Sequence, residues 1–166
     1  MAASFTKGSM LLSLLLHQRK YALELIADMV LSGAKPVSTP MELNKKFTTT
    51  EFDQYMPSIQ VDPPLTEPAV FQRLIRRWLY LTTTRPDITF GVQCLSQLMH
   101  SPKQSYMEAS LRLVRYVKKE PGLGIFMSSA GGSALNIFCY ADWGACINSR
   151  KSITSYLVQY GSSLIS

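Results

Sequence analysis

Six of the nine prolines fall between residues 34 and 68, at positions 36, 40, 57, 63, 64 and 68. Each removes a backbone donor and fixes φ, so no helix or sheet interior can run through the stretch. With Thr48, Thr49 and Thr50 in its middle, it reads as an irregular connection. A loop of that length is unusual inside a compact domain. It suggests a linker, or a segment that once wrapped around something larger. The chain therefore divides into residues 1–33, a linker at 34–68, residues 69–120 and residues 121–166.

The flanking segments differ in their periodicity. Tyr21, Leu25 and Met29, with Ala22, Ile26 and Val30, repeat at helical spacing, which predicts a helix over about residues 18–32 with Gly33 as its C-cap. Three more helices are predicted after the linker. Val70, Phe71, Leu74, Ile75, Trp78 and Leu79 form the stripe of the first, with Thr66 and Pro68 at its start and Arg73, Arg76 and Arg77 off the stripe. Ile88, Val92, Leu95 and Met99 share a face in the second, with Pro86 and Asp87 in its first turn. The third opens at Ser101-Pro102. It turns Met107, Leu111, Val114 and Val117 inward and Arg112, Arg115 and Lys119 outward, until Pro121-Gly122 stops it. Beyond that point the runs are short and β-like, at 123–127, 135–141, 153–160 and 163–165. Helices followed by antiparallel strands predict an α+β fold: a helical segment joined to an incomplete antiparallel sheet.

Charge is unevenly placed. The net charge of +6 hides a basic stretch between residues 73 and 119. It holds nine Lys and Arg against only Asp87 and Glu108, a local balance of +7 that leaves −1 for the rest. Arg112, Arg115 and Lys119 form one positive row, and Arg73, Arg76 and Arg77 another. Such rows can follow a phosphate backbone. They equally describe a solvated face of a helix packed through its other side. Glu108 and Arg112 suit an ordinary surface pair.

Other chemistry finds little support. Cys94, Cys139 and Cys146 lack C-x-x-C spacing, and His17 and His100 lack near partners, so neither a metal site nor a triad can be read. Cys94 reads as a small core residue. Glu51 and Asp53 read as solvated loop acids. Asp142 is the only acid after Glu120, whereas two-metal hydrolysis needs several carboxylates. No phosphate-binding glycine motif is present. An odd cysteine count makes a reducing, intracellular setting the default. The apolar run at 10–16 is short for a leader, lacks a small-residue cleavage site, and fits a buried strand or a misread N-terminus better. It is too short to cross a bilayer, and no membrane partner is expected.

Several strings resemble the Pol polyprotein of copia-type retrotransposons. They are RLIRRWLYLTTTRPDITFGVQCLSQLMHSP at 73–102, ASLRLVRYVKKEPGLGIFM at 109–127 and YADWGACINSRKSITSYLVQYGSSLIS at 140–166, with QRKYALELI at 18–26 and KPVSTPME at 35–42. The resemblance covers about residues 18–166. It implies a strand–helix remnant of reverse transcriptase at 1–33, a thumb- or connection-like region at 69–120, and a truncated RNase H-like β segment at 121–166. It also implies an RNA–DNA hybrid as partner, bound through Arg73, Arg77, Arg112, Arg115, Lys118 and Lys119.

The departures weigh against activity. The family's Tyr-Val-Asp-Asp polymerase motif is absent from these residues. Where the family reads Asp-Ala-Asp-Trp, with its first RNase H aspartate leading, this chain has Tyr140, and Asp142 matches the second aspartate. A neutral phenol, with a pKa of about 10, cannot supply the anionic oxygen that Mg²⁺ prefers. The family uses Mg²⁺, but none is expected to bind here. Arg76 and Ser155 stand where the family commonly has glycine, and residues 10–17 depart from its strand. The expectation is a degenerate Pol-derived piece without catalysis, or part of an RNA-directed DNA polymerase and ribonuclease H if the gene continues. Its unfinished sheet should leave one edge and one face exposed and invite self-association.

Overall fold

The computed structural model describes residues 2–8, 11–42, 45–55, 62–128, 132–144, 146 and 150–165, with backbone only at 2–8, 11 and 12. Pro57 lies outside the described residues. The elements are β1 (Ala2–Gly8), β2 (Leu11–His17), α1 (Arg19–Asp28), α2 (Thr50–Tyr55), α3 (Pro68–Leu81), a 3-10 turn at Pro86–Ile88, α4 (Thr89–Ser96), α5 (Gln104–Lys119), β3 (Ile125–Met127), β4 (Leu135–Asp142), β5 (Ile153–Tyr160) and β6 (Ser163–Leu164). Helices and two small antiparallel sheets make this an α+β chain.

The core is helical. Ala22, Leu25 and Ile26 of α1 meet Phe71, Leu74, Ile75, Trp78 and Leu81 of α3, and Ile88, Val92, Leu95, Leu98, Tyr106, Ala109, Leu113, Val114 and Val117 complete the cluster. Each large apolar side chain buried this way contributes roughly 1.5–3 kcal/mol. Pro68 occupies the first turn of α3, where its missing N–H leaves nothing unsatisfied.

Thr50–Tyr55 form a short helix inside the stretch expected to be irregular, between its prolines. Three further details depart from the expected pattern. The first helix ends at Asp28, not near residue 32. Val30 turns left-handed at φ 56° and stands 87% exposed, so it leaves the stripe, and Gly33 lies beyond the true end. In α3, Leu79 is exposed and Leu81 is buried in its place. In α5, the buried face consists of Tyr106, Ala109, Ser110, Leu113, Val114 and Val117, while Met107 and Leu111 are half-buried. The face is rotated because small Ala109 and Ser110 admit the α3 indole. Trp78 Nε1 donates to Ser110 Oγ at 3.0 Å, with both residues fully buried.

The first sheet runs β1-β2-β3. Of the apolar run at 10–16, Met10 lies outside the described residues and the rest falls in the central strand, which pairs with β1 on one side and, through Leu14, Leu15 and Leu16, with Met127, Phe126 and Ile125 on the other. The run at 123–127 thus joins the N-terminal hairpin instead of opening the C-terminal sheet. Gly124 permits this approach, because a Cβ there would collide with the Leu16 carbonyl oxygen.

The second sheet runs β4-β5-β6, with Leu135 opposite Tyr160 and Asp142 opposite Ile153. Both faces of β4 are exposed along its whole length. One face presents Leu135, Ile137, Tyr156 and Tyr160, and the other presents Phe138, Tyr140 and Leu157. The exposure thus extends to two faces, where one was expected. The outer edge of β4 pairs with no strand among the described residues.

Candidate functional site

The basic helices were the expected contact surface, and the structure divides their side chains into two groups. The first group holds the linker. Lys118 Nζ donates to the carbonyls of Leu31, Ser32 and Ala34. Arg115 Nε donates to the Lys35 carbonyl at 2.8 Å. Arg112 Nη2 donates to Thr39 Oγ1 at 2.8 Å, and its Nη1 lies 3.6 Å from the Glu42 carboxylate. Residues 31–42 are therefore strapped across α5 by the three cations expected to face a hybrid. The Arg112 Nε–H is buried without a partner. It is charge-assisted bonding, stronger than a neutral contact, that lets a segment without regular structure take a fixed path.

Arg77 is also engaged. Its Nη1 donates to Asp28 Oδ2 at 2.7 Å, and its guanidinium lies 5.6 Å from the centre of the Tyr21 ring. Burial depresses the Arg77 pKa, and the hydrogen bonds and charges of Asp28 and Tyr21 together outweigh that, leaving it above the ordinary value. Arg73, Arg76 and Lys119 are exposed.

Two further cations of the basic stretch, Arg85 and Lys103, are buried, and no local pattern around them signals it. Arg85 forks onto Asp87 through Nε and Nη2 at 2.9 and 2.7 Å, and its Nη1 donates to the Glu120 carbonyl at 3.0 Å. It joins the end of α3 to the end of α5. Lys103, 2% exposed, donates to the Thr48 carbonyl at 2.7 Å and to Asp53 Oδ2. The Tyr106 hydroxyl donates to the same Thr48 carbonyl, at 2.5 Å. Asp53, expected to be a solvated loop acid, is instead the partner of a buried ammonium. Burial pushes its pKa up, and the Lys103 and Thr48 hydrogen bonds outweigh burial, so it lies below the usual carboxylate value. Burial, with Asp62, Asp53 and Glu51 nearby, drives the Tyr106 phenol well above its ordinary value. Ser105 caps the network by donating from its amide and hydroxyl to Asp62, at 3.1 and 2.6 Å.

The expected RNase H position is on β4. Tyr140 and Asp142 lie two residues apart on one exposed face, across from Ser155 and Ile153. Asp142 is the one acid after Glu120. Among the described residues, no three His, Cys, Asp or Glu side chains come together as a metal site. Cys94 is half-buried; burial raises its thiol pKa, and Cys146 adds to the shift. Among the described residues, no helix is long and apolar enough to cross a membrane.

No known family model matches the chain, and no solved structure matches it significantly. Curated proteins do. The chain is 34% identical over 88% of its length to the Retrovirus-related Pol polyprotein from transposon RE1 of Arabidopsis thaliana, of which it covers 9%. An uncharacterized mitochondrial protein of the same plant is 30% identical over 92% of the chain and 59% of its own length. A second such mitochondrial protein is 38% identical over 47% of the chain and 70% of its own length. The chain thus spans under a tenth of the Pol polyprotein it matches.

Proposed function

Because this chain belongs to the copia-type retrotransposon Pol family, we propose that it is a non-catalytic Pol-derived segment, a helical scaffold bearing an RNase H-like strand pair. The observation that carries this reading is β4. A phenol stands where the resemblance calls for the first metal-binding aspartate, and Asp142 is the sole carboxylate from residue 121 onward. One carboxylate cannot neutralise two Mg²⁺ ions. Incubation of the chain with a labelled RNA–DNA hybrid and Mg²⁺ should give no hydrolysis, and primer extension should give no product. Tyr140→Asp should not create activity, since further acids are still missing. Hydrolysis abolished by Asp142→Asn would overturn the reading.

A second reading has its own support in Arg73, Arg76 and Lys119, which lie exposed outside the linker network. In this reading the chain contacts nucleic acid, an RNA–DNA hybrid or a single strand. Affinity should fall linearly on a log–log salt plot, with a slope of about −0.9 per phosphate contact if duplex DNA is a guide. Alanine at Arg73 or Lys119 should flatten that slope. No binding at low salt would end this reading.

A further inference from the structure

With Arg112, Arg115 and Lys118 of α5 committed to residues 31–42, an exposed positive row remains on α3 and runs toward α1. Arg73, Arg76 and Tyr80 follow one another at three- and four-residue spacing, so they line one side of α3 over about 10 Å. All three are exposed, Tyr80 by 51%. At the end of this row the Tyr80 ring meets the Tyr21 ring edge-on, with centroids 5.0 Å apart. Beside the pair opens a cavity of about 330 Å³, lined by His17, Arg19, Lys20, Glu24, Tyr21 and Tyr80. Arg19 and Lys20 are exposed. Glu24, the acid at the rim, stands 4.0 Å from Lys20 in a solvated pair, too weak to hold that ammonium away from a phosphate.

Cations leading into a concave site that ends on an exposed aromatic ring are the combination that holds an unstacked base and its backbone. A duplex hides the faces of its bases and would use only the cations. We propose that the cavity between α1 and α3, together with the Arg73–Arg76 row, is a binding site for single-stranded nucleic acid. One base lies on the Tyr80 ring, and the adjoining phosphates meet Arg19, Lys20 and Arg76. This rests on the nucleic-acid reading above and assigns it a place.

The test is fluorescence anisotropy of the full chain with a short labelled single strand, the corresponding RNA–DNA hybrid, and unlabelled polyphosphate as competitor. The single strand should bind more tightly than the hybrid. Tyr80→Ala should weaken it roughly tenfold, as loss of one stacking ring does, and Tyr80→Phe should retain affinity. Arg76→Gln, at a solvent-facing position that spares the core, should reduce the salt slope by about 0.7. Arg112→Gln should leave affinity unchanged. Unchanged affinity in both Tyr80→Ala and Arg76→Gln, or equal competition by polyphosphate, would overturn this site. So would dependence on Arg112, Arg115 and Lys118, though the nucleic-acid reading itself would then stand. Absence of saturable binding by either nucleic acid would overturn both.

Discussion

Ser110 shows how a polar residue can be part of a core. It lies at 0% exposure beneath Trp78, whose N–H it accepts. Ser110→Ala would leave that donor buried and unpaired, which costs about 1–3 kcal/mol. Urea denaturation should show the midpoint lowered without a change in slope. Lys103 and Asp53 make a second residue-scale case. Asp53 ionises more readily in the folded chain than in the unfolded one, where its pKa is about 3.9. Its contribution to stability is therefore complete above that value and is lost as the pH falls through the lower, folded value. The acid limb of stability should be shallower in Asp53→Asn, at the expense of lower stability at neutral pH. An acid limb identical in both proteins would contradict the assignment. A lysine in a basic stretch next to a helix start carries no sequence mark of burial. Only its pairing with a carboxylate fifty residues earlier reveals it, and that pairing is a property of the folded chain.

At the scale of elements, legibility follows side-chain size. Phe71, Leu74, Ile75 and Trp78 of α3 and Val92 and Leu95 of α4 could be read as core because large apolar residues repeat there. The face of α5 was misjudged because Ala109 and Ser110 carry no hydrophobic signal, although the face needs them small. The basic row on α5 was visible, but its occupant was not. Hydrogen bonds from side chains to carbonyls of residues 31–35 depend on no residue type in the acceptor, so nothing in the linker sequence announces them. These bonds make the strap testable. The variant carrying Arg112→Gln, Arg115→Gln and Lys118→Gln should expose residues 31–42 to chymotrypsin and speed cleavage there severalfold, with the helical circular dichroism signal retained. Raising the salt should have a smaller effect of the same sign in the unmodified chain. Equal cleavage rates in the two proteins would show that the linker is held by other means.

For the whole molecule, the contrast lies between a well-filled helical core and a second sheet whose first strand, β4, is exposed on both faces. Trp143 is 90% exposed, and β4 carries apolar side chains on both faces, no Lys or Pro, and a single charge at its end. Natural edge strands avoid that composition because it templates pairing with other chains. The apparent mass of the chain should rise with concentration in light scattering. Ile137→Lys, which puts a charge in the open edge strand, should suppress the rise. A concentration-independent monomer melting cooperatively well above about 60 °C, beyond the usual mesophile range, would contradict the expectation. The β runs at 135–141 and 153–160 were legible from β-branched and aromatic residues, and their pairing follows from adjacency. The pairing of β3 with β2 was not, since two short apolar runs at opposite ends of a chain carry no address for each other.

That last pairing also fixes an order of events. Leu16 meets Ile125 only after more than a hundred intervening residues have been made. Contacts of such sequence separation form late, because the loop between them must first be closed. At about 5–20 residues per second, the leucine-rich strand β2 leaves the ribosome many seconds before β3 exists. During that interval one of its edges is open. The time-dependent hazard for this chain is therefore set by translation speed across the residues between β2 and β3, and a holding chaperone acting on residues 11–17 would cover the open edge during it.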